Sequence, residues 1–371
     1  MKIICNKNNL LKSVNISLKA VPSKTTMPIL GCILIDATTN QIKFTTNDME
    51  LGIETIVEGT IVEKGIIALD AKIFYEIIRR LPDNDVTIKT DDKFTATITC
   101  EKAKFNIPGK SGEDFAYLPL IEREESLTIS QYTLKEMIRQ TIFSIAVNEN
   151  NKLMTGELFE IKDNCLKVVS LDGHRIAIRK MPLKRTYSDR KVVVPGKTLN
   201  EISKILSGEM DDMVSIFFTK NHILFEFDQT MVVSRLIEGE YFRIEQMLSS
   251  DYETKLSINK KEFLDCIDRA TLLVREGDKK PIIIHITDNN MELKIDSAMG
   301  SMNEEIDIEK EGKDILIGFN PKFLIDALKV IDDEIINIYL VNPKAPCFIR
   351  DDEENYTYLI LPVNINQNQA R

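Results

Sequence analysis

No two cysteines stand close enough to form a paired redox or metal motif. The six, Cys5, Cys32, Cys100, Cys165, Cys266 and Cys347, are scattered singly, which excludes a C-x-x-C site, a zinc knuckle and a disulfide framework and points to a reducing compartment. Glycine and proline are scarce, 15 and 12 in 371 residues, and no low-complexity tract occurs, so disorder is expected only at the ends. No apolar run approaches the ~20 residues of a membrane span. The start, MKIICNKNNLLKSV, is cut by Asn and Lys before a signal-peptide core can form. A cytoplasmic protein, neither exported nor inserted, is expected.

Catalytic signatures are missing too. His174, His222 and His285 are the only histidines and show no metal-ligand spacing. No G-x-S-x-G elbow occurs. GKS at 109–111 and GKT at 196–198 lack the upstream glycine of a phosphate-binding loop, because Lys104 and Lys191 stand there. No metal or cofactor is expected.

What the chain has is length and repetition. At 371 residues it should hold two or three domains. The segments 67–81, 192–206 and 315–331 share one pattern, with Lys72, Lys197 and Lys322 spaced 125 residues apart. Phe74/Leu199/Leu324, Ile77/Ile202/Ala327 and Leu81/Leu206/Ile331 follow at i, i+3, i+7, one face of a helix. A second set begins at Asn6, Ser130 and Asn259, each a candidate N-cap. It places Leu10/Leu134/Phe263 and Val14/Ile138/Ile267 in matching core positions, with small Ser17/Thr141/Ala270 beyond. Six helices in register imply three copies of one domain, too long for a solenoid repeat. The polar stretches 121–126 and 249–255 mark joints, giving domains at 1–124, 125–251 and 252–371. Alternating polar and apolar stretches between the helices read as antiparallel strands. The expected class is α+β, two helices on antiparallel sheets in each copy.

The net charge of -10 argues at first against nucleic acid, but its location matters more. The six predicted helices together carry +8, which leaves -18 for everything else. If the helices share a surface, it attracts phosphates without reading bases; by composition alone, solvated helix faces are the favoured reading. Lys12, Lys72, Arg79, Arg80, Arg139, Lys197 and Lys204 are the helix candidates, joined by Lys24 and Lys152 on loops.

One stretch, VVSLDGHRIAI (168–178), places Asp172, Gly173, His174 and Arg175 between apolar strands. It reads as a tight turn, as half of an acid-base pair in a hydrolase built on Asp172 and His174, or as the wall of a peptide groove. The residues alone do not separate the turn from the groove.

In order along the chain, TTMPILGCILI, TTNDMELGIE, VVSLDGHRIAI, VVVPGKTLNEI, RLIEGEYF, IGFNPKFLIDAL and YLILPV closely resemble the bacterial DNA polymerase III β subunits, the sliding clamps. The resemblance covers nearly the whole chain. It implies a non-enzymatic processivity factor of the clamp fold: a head-to-tail homodimer ring, helices lining a hole for double-stranded DNA held without sequence preference, and sheets outside. It also implies a groove for short motifs of the polymerase III α subunit, clamp-loader subunits and repair proteins. By position, the groove comprises Met154, Leu171, Gly173, His174, Arg175, Ile176, Phe242, Gln246, Met247, Leu359, Ile360, Leu361 and Pro362, with Arg175 as a rim donor. Ring closure needs different surfaces at the two ends of the chain. The candidates are Lys102, Lys104, Phe105 and Ile107 at one end and Leu272, Leu273, Glu304 and Glu305 at the other. The chain departs from the family pattern at Phe242, where a proline is usual, at Gln246, where a basic residue is usual, and in the ending Pro362-Val363-Asn364. The remaining alternative is a monomeric peptide-binding scaffold.

Overall fold

The computed structural model describes residues 1–147, 150–249, 251–275 and 280–365. Residues 148 and 149 of the NENNK loop, Ser250 in the second joint and the polar tail from 366 lie outside the described residues. All six expected helices form: α1 (Lys7–Ser17), α2 (Ala71–Arg80), α3 (Gln131–Arg139), α4 (Gly196–Ile202), α5 (Lys260–Thr271) and α6 (Pro321–Leu328). In five of them a side chain fixes the start by accepting an otherwise unpaired N–H group. Asn6 accepts from Asn8, Ser130 from Thr133 and Asn259 from Glu262. Asp70 and Asn320 do the same for α2 and α6.

The repeated core columns are buried, including the small position at Ser17, Thr141 and Ala270, each 0% exposed. Two details depart from the sequence pattern. In α2 the buried residue is Ile78, one step beyond Ile77, because a straight α-helix returns to the same face at i+4 as readily as at i+3. Helix α3 stops at Arg139, short of the small position at Thr141. The Thr141 hydroxyl donates to the Met137 carbonyl at 2.7 Å, and Ile142–Ser144 tightens into a 3-10 turn.

The chain packs as two compact units, Met1–Lys135 with Lys197–Leu236, and Glu136–Gly196 with Ile237–Arg371. Each takes one terminal copy of the repeat and part of the middle copy, because the sheets run through the repeat boundaries. In the first unit a thirteen-stranded sheet crosses where Leu51–Val57 pairs antiparallel with Thr230–Arg235. In the second a nine-stranded sheet crosses where Arg175–Pro182 pairs antiparallel with Tyr356–Ile360. The same unit holds a four-stranded sheet from Ile282–Thr287, Asn290–Ser297, Gly300–Asp307 and Ile315–Phe319. Pairing across the boundaries removes strand edges that would otherwise be open to other chains.

Candidate functional site

The turn at 172–175 is built from beneath. The Asp172 carboxylate accepts the backbone N–H groups of His174 (3.0 Å) and Arg175 (3.2 Å) on one oxygen and the Arg175 Nε–H (3.0 Å) on the other. This local cap closes the reversal between Cys165–Leu171 and Arg175–Pro182. Gly173 sits at φ +84, a conformation that costs other residues strain, and open space lies where a Cβ would stand. Asp172 thus reaches His174 through its backbone, while the imidazole lies 5.8 Å from the Phe323 ring. Among the described residues the two side chains share no hydrogen bond, so no acid-base pair forms.

Strand register separates the expected groove residues into two faces. Ile176 opposes Leu359, and Arg175 opposes Ile360. Leu171, Ile176 and Leu359 join Leu158, Val169, Tyr241 and Phe348 in one buried cluster, with Met154 and Phe242 half-buried against it. Ile360 instead belongs to the opposite face, in the core of α5 and α6. Arg175 also points there. It is 7% exposed and donates to Asp326 at 2.7 Å and to the Phe143 carbonyl at 2.6 Å, with its guanidinium over the rings of Phe143 and Phe323. Two expectations are therefore corrected: Arg175 is not a rim donor, and Ile360 is not part of the wall. Alternation of side chains along a strand makes both outcomes necessary once Ile176 and Leu359 face the apolar cluster.

The other expected groove residues reach solvent. Gly173, His174, Gln246, Met247 and Leu361 are exposed, and Met154, Phe242 and Pro362 are half-buried. The Leu361 N–H donates to the His174 carbonyl at 2.9 Å, joining the turn to the end of the sheet, and the Val363 N–H donates to Gly318 at 2.8 Å.

The basic candidates fall into two kinds. Lys12, Lys24 and Lys72 in the first unit and Lys152 in the second are exposed and have no ion pair among the described residues. Lys197 is paired with Asp48, Lys204 with Glu201 at 2.8 Å, and both Arg79 and Arg80 with Glu76. Arg139 is more constrained: it binds Glu136, Asp332 and the Val330 carbonyl. This half-buried knot ties α3 to the segment after α6. Arg139→Ala should destabilise its unit by about 1–2 kcal/mol while leaving low-salt duplex affinity nearly unchanged, and Lys152→Ala should do the reverse. Thermal unfolding and duplex titration of the two variants check this.

Both interface candidates lie on strand edges. Residues 103–108 of Ala103–Lys110 pair on one side only, since the second partner meets just Gly109 and Lys110. Gly300–Asp307 ends the four-stranded sheet. Phe105 is 39% exposed and with Lys72, Ile73, Glu76, Ile77 and Arg80 lines an open pocket of about 320 Å³. Lys102 and Lys104 are exposed beside it, whereas Ile107 turns into the core. In the other unit Leu272 is 74% exposed, Leu273 is half-buried, Glu305 is exposed, and Glu304 is held by Arg269, which lowers its carboxyl below the usual range. Lys72 and Arg80, expected on a DNA face, line the Phe105 pocket.

The chain matches three family models, described as the N-terminal domain of the DNA polymerase III beta subunit at residues 1–119, its central domain at 128–242 and its C-terminal domain at 245–364. It is 34% identical to the "Beta sliding clamp" of Staphylococcus aureus over 98% of this chain and 99% of that one. A solved chain of Eubacterium rectale ATCC 33656, assigned to the DNA polymerase III beta subunits, is 71% identical with a TM-score of 0.96, covering 98% of this chain and 100% of that one. The DNA polymerase sliding clamp of Bacillus subtilis is 34% identical with a TM-score of 0.95, covering 99% and 100%.

Proposed function

The chain belongs to the DNA polymerase III beta-subunit family, and on that premise we propose that two copies close head to tail around duplex DNA. Three tandem clamp domains make it a non-catalytic DNA polymerase processivity factor, so neither the hydrolase nor the monomeric-scaffold reading is supported. The observation that carries ring closure is a pair of open strand edges in one chain, Ala103–Lys110 bearing the exposed Phe105, and Gly300–Asp307, whose Gly300 lies against Leu273, next in sequence to the exposed Leu272. Antiparallel pairing of the first with the second of another copy satisfies both, and Phe105 and Leu272 supply the apolar contact. Lys102 and Lys104 face Glu305 in that arrangement. We place the domain boundaries at 124/125 and 251/252, and the protein in the cytoplasm.

Lys12, Lys24 and Lys152 are the strongest candidates for phosphate contact because no carboxylate among the described residues pairs with them; the paired Lys197 and Lys204 contribute less. Diffuse lysines bind weakly and without sequence preference, which suits sliding. The groove around His174, Met154, Phe242, Met247, Leu361 and Pro362 receives segments of the polymerase α subunit, clamp-loader subunits and other clamp-binding proteins. Phe242 and Gln246, departures from the family pattern, lie at its edge and set its motif preference. Primer extension on a primed circular template tests the function: adding the chain with its loader should lengthen the products of one polymerase binding event at least about tenfold. Unchanged product length contradicts it.

A further inference from the structure

Arg175 is almost fully buried, its guanidinium held on the helix side of the sheet, yet it supports the turn at 172–175. Its Nε–H holds the Asp172 carboxylate, whose other oxygen fixes the backbone of His174 and Arg175. Its two terminal nitrogens reach the Phe143 carbonyl and Asp326 on α6. Phe323, also on α6, lies under both the guanidinium and the His174 imidazole. One buried cation therefore joins three elements that the sequence keeps far apart: the turn, the 3-10 segment after α3, and α6.

We infer that Arg175 is a positioning residue for peptide capture, acting through Asp172 and Asp326 to hold His174 and Gly173 at the groove. The inference rests on the groove reading above. Removing the guanidinium leaves two carboxylates, with side chains 15% and 24% exposed, without their shared counter-charge. The turn then loses its anchor although every groove-facing side chain is still present. Asp326 lies on the helix side of the sheet, so its removal acts on the groove only through Arg175.

The probe is a fluorescein-labelled peptide of about ten residues bearing leucine and phenylalanine anchors for an apolar groove. Arg175→Ala and Asp326→Ala should each weaken its binding about tenfold or more, and the double variant should lose no more than Arg175→Ala alone, since the two act as one unit. A control, Ile284→Val in the same core, should shift the melting temperature and leave affinity unchanged. Wild-type affinity in Asp326→Ala, multiplying losses in the double variant, or an equal loss in the control overturns the positioning role. If the wild-type protein itself fails to bind the peptide while Met154→Glu and Met247→Glu change nothing, the groove reading falls and the inference with it.

Discussion

Phe105→Arg is expected to convert the proposed head-to-tail dimer to single chains at micromolar concentration. Phe105 sits on the open side of a strand edge and borders a pocket floored by Ile73 and Ile77. An apolar anchor in such a position typically contributes about 2–4 kcal/mol to association. A closed ring of two copies contains that contact twice, so the substitution costs about 4–8 kcal/mol of ring closure. Arginine also places a cation beside Lys72, Arg80 and Lys104, adding like-charge repulsion. Leu272→Asp, at the opposite end of the chain, should give the same outcome through the same contact. Sedimentation should show twice the single-chain mass for the wild type and the single-chain mass for either variant. A wild-type dimer that survives both substitutions places the interface elsewhere.

Glu157→Leu is expected to stabilise the protein, and more so at pH 8 than at pH 5. Glu157 is 0% exposed, and neither carboxyl oxygen has a hydrogen-bond partner among the described residues. Burial raises its pKa well above the usual carboxylate range, and the nearby Thr141 hydroxyl offsets this only in part because it donates to Met137. The folded state therefore keeps the proton after the unfolded chain has lost it. Stability falls as pH rises from the unfolded value near 4.3 toward the raised folded value. The charge also opposes ionisation of Tyr241, whose pKa burial already raises. Removing an unpartnered buried carboxyl should add about 1–3 kcal/mol, several degrees in melting temperature. Glu157→Gln tests the charge separately: it should flatten the pH dependence while keeping a buried polar group. Melting curves at the two pH values check both, and an unchanged slope assigns the pH dependence to another group.

The helices were legible because each carries a periodic apolar face and a copy elsewhere in the chain, and three of them a readable N-cap as well. Asn259, Phe263 and Ile267 are as readable in sequence as they are in the fold. The site was less so. Position picked out the stretch around His174, but it also admitted Arg175 and Ile360, which alternation sends to the other face of the sheet. Applying the two-residue period to 175–178 and to 359–360 separates Arg175 from Ile176 and Ile360 from Leu359. Arg139 went to the DNA set because charge on a helix is visible in sequence, whereas its partners Val330 and Asp332 lie nearly two hundred residues away. Glu157 drew no notice, although it shares a strand face with Phe159 and Ile161 in GELFEIK. The two compact units were not legible at all, because they depend on which strands pair across the repeat boundaries.

Retention on DNA of changed topology is the most direct test. The protein is loaded onto a nicked circular plasmid, washed at high salt, and the plasmid is then cut once. Enclosure by a ring predicts that the protein stays on the circle through the wash, leaves within moments of the cut, and binds linear duplex only weakly and at low salt. Equal loss from circle and linear DNA in high salt, or persistence after the cut, contradicts enclosure.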